Sequence, residues 1–328
     1  MPSPALPPEL TDHIIDFLHA DPRALKACSL ASSTLRPAAR FHLFHTLNFP
    51  SLKAGHAFWE LLQASPELGR RARIANFAKI TAGAGQFDRD REGPSDLGPA
   101  LRDGRADEAV SGLSGDGDDG SGDSGAHERA RTRTRVPVRT VDPSTLWSTI
   151  FHALPAVHTL EFLFLDLATP SESAALRHHI TRAFPLTHTL TLQYIRVPAF
   201  MDFVTLLRSF PLLKKCTLRG LSWEDTDAPV APSSSTSGDD AVVAPQPQLE
   251  ELNIGRDLDL LTLTGWLLDA DLCTNLRKLS VCAASEADAV ILADLIRVAG
   301  PKLEELALDW YAESHNGACF PFYAHICS

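Results

Sequence analysis

The sequence predicts an α/β protein in which an N-terminal three-helix unit is followed by a solenoid of alternating strands and helices, its strands parallel. Three observations carry this reading. Helix-start signals occur three times in succession within residues 5–47. A pattern Pro-x-apolar-x-x-apolar-x-apolar returns six times from Pro155 onward, at spacings of 30, 26, 36, 27 and 27 residues. Between the copies, apolar residues recur at helical spacing, and a strand followed by a helix at a fixed period is the sequence signature of a stacked repeat.

The N-terminal signals come first. Pro7-Pro8 precedes Glu9, with Leu10, Ile14, Phe17 and Leu18 at i, i+4, i+7 and i+8. Asp21 before Pro22 is an N-cap followed by proline where the missing N–H costs nothing, and Leu25 and Cys28 then share a face flanked by Leu30. Pro37 opens the third helix, which runs through Phe41 and Leu43-Phe44. Three short helices in about forty residues are marginal alone and need a partner surface or the rest of the chain to cover their apolar residues.

Residues Leu6-Pro7-Pro8-Glu9-Leu10, Ile14-Ile15-Asp16-Phe17-Leu18, Asp21-Pro22, Leu25 to Leu30 and Arg36 to Phe44 together resemble the F-box, in the version common in large fungal families. Leu35 stands where that family usually has Trp. The resemblance covers about the first fifty residues. It implies docking to a Skp-type adaptor and, through it, to a cullin–RING ubiquitin ligase. Leu6, Pro7, Leu10, Ile14, Leu18, Leu25 and Leu30 are the expected adaptor contacts.

Composition narrows the function classes. A formal net charge of −11 argues against general nucleic-acid or anionic-membrane binding. No run of 18 apolar residues and no secretory signal is present, and the six cysteines are scattered, so free thiols in an intracellular compartment, cytoplasmic or nuclear, are expected.

Residues 1–50 form the expected helical domain. Residues 51–80 read as a connector or a first irregular repeat, with Phe58, Leu61 and Leu62 on a helix face and Arg73–Ile80 as a short strand. Residues 81–140, centred on SGLSGDGDDGSGDSG, lack the apolar content to offset ordering entropy and read as a disordered insertion. The insertion turns basic at Arg129, Arg131, Arg133, Arg135 and Arg139; these arginines offset the acidic run, or form a nuclear-import or electrostatic docking strip.

From 141 to 328 the repeats run, interrupted by an acidic, Pro/Ser-rich insertion at 224–246. Thr169-Pro170-Ser171-Glu172 is a capping-box pattern, Pro198 opens a second helix, and Leu258–Leu272 and Ser285–Ala299 follow as helices. Thr187 and Thr274 depart from the repeat pattern. This region resembles a leucine-rich-repeat protein of the kind often joined to an F-box. Where the asparagine of such repeats would fall stand Leu165, Ile195, Leu221, Asp257, Ala284 and Tyr311, so no asparagine ladder is expected. An ordinary parallel α/β sheet is the alternative architecture.

Strand alternation predicts which side chains line the solvent-facing, concave surface. The candidates for target contact are Glu161, Thr191, Lys215, Thr217, Arg219, Glu251, Asn253, Lys278, Glu305 and Asp309. The surface reads as Thr-rich, then basic, then mixed and acidic, a pattern a protein partner could meet by complementary charge.

No catalytic triad, phosphate loop or cofactor motif is legible, and no cofactor is expected. His315, Cys319, His325 and Cys327 do not match structural zinc spacing. The expected function is a non-catalytic substrate-recognition subunit of an SCF-type ubiquitin ligase. The alternative is a ligase-independent repeat scaffold for protein interaction.

Overall fold

The computed structural model describes residues 7–80, 142–167, 170–224, 246–283, 285–311 and 321–327. The expected insertion 81–140, the cap residue Thr169 and the His/Cys segment after 311 lie wholly or largely outside these residues, as does Leu6. Among the described residues, no helix is long and apolar enough to cross a membrane.

The chain opens with α1 (Pro8–Phe17), α2 (Pro22–Ala31) and α3 (Arg36–His45). The Asp21 carboxylate caps α2, accepting from the N–H groups of Arg23 and Ala24 at 2.9 and 3.1 Å. Ile15, Leu25 and Ala39 form a small core of their own, and Leu18, Cys28, Leu35 and Leu43 pack against it. His42 of α3 meets Asp16 of α1 at 2.7 Å, tying the two helices together.

A strand–helix array follows: β1 (Thr46–Phe49), α4 (Leu52–Ala64), a 3₁₀ turn, β2 (Ile74–Ala78), α5 (Pro143–His152), β3 (Thr159–Leu163), α6 (Pro170–Ala183) and β4 (Thr189–Gln193). It continues through β5 (Arg196–Val197), α7 (Phe200–Arg208), β6 (Lys215–Arg219), β7 (Ser222–Trp223), β8 (Glu251–Ile254), α8 (Leu260–Asp269), β9 (Lys278–Ala283) and α9 (Glu286–Ala299). β10 (Glu305–Tyr311) and β11 (Pro321–Cys327) complete it. The protein is therefore α/β. The main sheet runs β1-β2-β3-β4-β6-β8-β9-β10-β11, parallel up to β10, while β11 pairs antiparallel to β10; β5 and β7 form a small ribbon beside it.

One face of the sheet and the apolar sides of the helices share a single core. Leu160 and Phe162, Leu190 and Leu192, and Cys216 and Leu218 point in from the strands to meet Phe58, Trp147, Phe151, Ile180, Phe203, Leu263 and Leu295. Phe49, Phe77 and Phe162 occupy one register position on β1, β2 and β3. Their rings stack at 4.9 and 5.5 Å. The same position is Leu192, Leu218, Ile254 and Val281 further along, so that position is aromatic at the start of the sheet and aliphatic later.

The helices sit where the sequence signals fall. Ser51 caps α4 through the N–H of Ala54, Asp259 caps α8 through Thr262, and Ser285 with Asp288 makes a reciprocal capping box on α9. Two boundaries differ from expectation. The helical unit stops at His45, because Thr46–Phe49 pairs with β2 as the first strand of the sheet. Residues 51–80 are therefore part of a strand–helix–strand repeat. α5 precedes the first recognised copy, capped by Asp142 before Pro143 just as Asp21 before Pro22 caps α2. The 81–140 segment thus interrupts the connection from β2 to α5. Between β6 and β8, where the second insertion falls, no helix is found among the described residues.

Candidate functional site

The first candidate surface is the outside of α1–α3. The helix α1 is apolar on two adjoining stripes. Thr11, Ile15 and Leu18 turn inward, while Leu10, Ile14 and Phe17 lie outside at 51, 47 and 84% exposure. Leu30 on α2 and Phe41 on α3 are also exposed. Of the expected adaptor contacts, Pro7, Leu10, Ile14 and Leu30 are therefore available, and Leu18 is half-buried. Leu25 is a correction: at 1% exposure it fills the small core beside Ile15 and Ala39, so it holds the helices together and offers a partner no surface. Phe17 and Phe41 were absent from the expected set, although Phe17 follows Leu10 and Ile14 at helical spacing.

The second is the open face of the sheet. Strand alternation holds: Glu161, Thr191, Thr217, Asn253 and Ser280 stand side by side across β3, β4, β6, β8 and β9. Asn76 donates to Asn48 at 2.7 Å earlier in this row, and Gln193 reaches across from the next row to donate to Glu161 at 3.2 Å. The row nearest the strand starts is charged and satisfied within itself. Lys215 meets Glu251 at 2.7 Å and Lys278 meets Glu305 at 2.6 Å. The hydrogen bond to Glu305 holds the Lys278 ammonium above its usual range. Just ahead of the strands, Lys214 pairs with Glu250 at 2.7 Å, which holds that carboxyl low, and Arg277 pairs with Glu304. Within the expected Thr-rich, basic, then mixed and acidic order, the charges at the strand starts alternate and pair across the strands. Exposed cross-strand pairs of this kind add little to stability, because solvent screens them.

The strand ends are organised by a feature with no counterpart in the expectation. Lys79, Phe164, Tyr194 and Gly220 each follow a strand in the left-handed conformation, at φ 56, 57, 55 and 58°. Each N–H donates to a carbonyl of the neighbouring repeat: Lys79 to Leu163, Phe164 to Gln193, Tyr194 to Arg219 and Gly220 to Arg256, at 2.8–2.9 Å. Leu165, Ile195 and Leu221, one residue on, turn into the core. A main-chain ladder thereby supplies inter-repeat bonding at these turns without an asparagine.

Left-handed Phe and Tyr are costly, by about 1–2 kcal/mol each. Their rings stack at 4.9 Å with planes 12° apart while remaining exposed. Tyr194 also lies over Gly220, where an added Cβ would come within 2.7 Å of the ring. Beside it opens a depression of about 480 Å³, lined among others by Tyr194, Arg219, Asn253, Ser280, Cys282 and Asp309. Three of the expected target contacts, Arg219, Asn253 and Asp309, therefore come together here. The signal that could have located it was the tenth residue of each repeat, one place before the position where asparagine was sought.

The thiols divide by burial. Burial pushes Cys216 up to about 12, and burial with Asp271 nearby does the same for Cys273. Cys28 and Cys282 are half-buried. Among the described residues, no group of three or more His, Cys, Asp or Glu side chains is placed to hold a metal ion. No protein-family model matches the chain, and no curated protein or solved structure matches it.

Proposed function

We propose that this chain is the substrate-recognition subunit of an SCF-type cullin–RING ubiquitin ligase, working inside the cell. In this reading α1–α3 dock on a Skp-type adaptor, the open face of the sheet holds a target protein, and other subunits carry out ubiquitin transfer by proximity. The observation that supports it best is the outward row Leu10–Ile14–Phe17 on a helix already anchored from its other side by Ile15. An exposed apolar row on so small a unit suits a protein partner. That row is separate from the sheet face, so adaptor and target could be held at once.

Co-purification with a Skp-type adaptor tests the proposal, comparing wild type with Ile14→Asp. Wild type should retain the adaptor and the variant should lose it. Circular dichroism should be unchanged, because Ile14 lies outside the small core. Failure of the wild-type chain to bind any Skp-type adaptor overturns the ligase reading. Target capture that persisted without the adaptor would then support the scaffold reading.

A further inference from the structure

The rows of charge at the strand starts are paired; the row at the strand ends is not. Arg219 closes β6 and Asp309 lies on β10, and neither has an ion-pair partner among the described residues. In register between them stand Gly255, which follows β8, and Cys282 on β9, both uncharged and small. Three inter-strand steps of about 4.8 Å put the two backbone positions about 14 Å apart.

We infer that the strip Arg219–Gly255–Cys282–Asp309 seats an extended segment of the target protein carrying an acidic and a basic side chain four residues apart. This rests on the open sheet face being the target surface. An extended chain rises about 3.4 Å per residue and returns to the same face every second residue. Side chains four apart therefore project together and span about 14 Å, the separation of the two strand positions. The acidic side chain lies on the Arg219 guanidinium and the basic one on the Asp309 carboxylate. Asn253 and Ser280, one row inward, offer an amide and a hydroxyl to the segment's backbone. Tyr194, braced by Phe164, walls the Arg219 end. Gly255 leaves room for the Arg219 stem, which leans over it: a Cβ there would come within 2.4 Å of Arg219 Cγ and displace the guanidinium stem. Because the row at the strand starts neutralises itself, Arg219 and Asp309 are left to discriminate between partners, with Arg256 and Asp257 also on the lining of the depression.

The test is panning a displayed library of random linear peptides against the full-length chain, the Arg219→Glu variant and the Asp309→Lys variant. Both positions are solvent-accessible, and the variants should fold as wild type. The wild-type chain should enrich peptides with an acidic and a basic residue four apart. Arg219→Glu should replace the acidic residue by a basic one, and Asp309→Lys should replace the basic residue by an acidic one. A wild-type-selected peptide should bind Arg219→Glu at least about tenfold more weakly. The same peptides returned by all three chains, no enriched charge pair, or no binders at all would each overturn the proposal. So would pairs about nine residues apart, the spacing that spans the same distance on a helix. Adaptor co-purification reads independently of all these outcomes, so the loss of this proposal and the loss of the receptor reading can be told apart.

Discussion

Thr187 places a hydroxyl in a slot that is apolar in the other repeats, and replacing it with valine should stabilise the fold. Val157, Leu213, Leu249 and Leu276 occupy the equivalent position in other repeats, all at 0–1% exposure. Thr187 is itself at 0%, and its Oγ1 has no hydrogen-bond partner. An unpaired buried hydroxyl costs about 1–3 kcal/mol, and valine replaces it with a methyl group of nearly the same size. Thr187→Val should therefore gain about 1–3 kcal/mol, with each kcal/mol raising Tm by about 2–4 °C in a unit of this length. Thermal and urea denaturation would measure it, with an unchanged m-value showing that the native state itself was stabilised. The reciprocal Val157→Thr should lose a similar amount. If Thr187→Val is neutral or destabilising while Val157→Thr costs nothing, the slot tolerates a hydroxyl and the reasoning fails.

Leu25→Ala should cost about 2–5 kcal/mol, because the small helical core has few other buried side chains; hydrogen exchange should show α1–α3 opening while the strand amides stay protected. Gly220→Ala should cost at least about 1 kcal/mol, since its φ of 58° is left-handed and the new Cβ would strike Tyr194. Denaturation of that variant would check the loss, and changed Tyr194 fluorescence would show the ring displaced. Cys216 and Cys273 should resist alkylation at pH 8 in the folded chain and react on unfolding, whereas Cys28 and Cys282 should label first. Both buried thiols are raised from 9.0 to about 12, so between those values the unfolded chain releases protons that the folded chain keeps. Stability from this source is full below pH 9 and falls as pH rises towards 12; denaturation at pH 8 and pH 10 should show the fall, smaller in Cys216→Ala.

Local chemistry explains what was legible in advance. Asp21-Pro22 announces α2 because a carboxylate cap and a proline at the first position act within four residues. Pro-x-apolar-x-x-apolar-x-apolar announces each strand because inward and outward positions alternate residue by residue, and Leu160, Phe162, Leu190 and Leu192 are all buried as that alternation demands. β1 was missed because four residues after a helix carry too little alternation to stand out. α5 was missed because the Asp142-Pro143 signal adjoins the 81–140 insertion. On α1, spacing alone placed Leu10, Ile14, Phe17 and Leu18 together, but two apolar stripes share that helix, and only packing against Leu25 and Ala39 decides that Ile15 goes inside.

The sequence by itself determined the repeat, its period, the inward and outward face of each strand, and most helix caps, because these depend on neighbours within a few residues. Tertiary structure alone decided that Lys215 meets Glu251, that Lys278 meets Glu305, and that Arg219 and Asp309 are left unpaired at the strand ends. Those outcomes depend on register between strands whose matching residues lie 26 to 36 positions apart. A shift of one residue in that register would exchange the faces of a whole strand and dissolve every pairing on it.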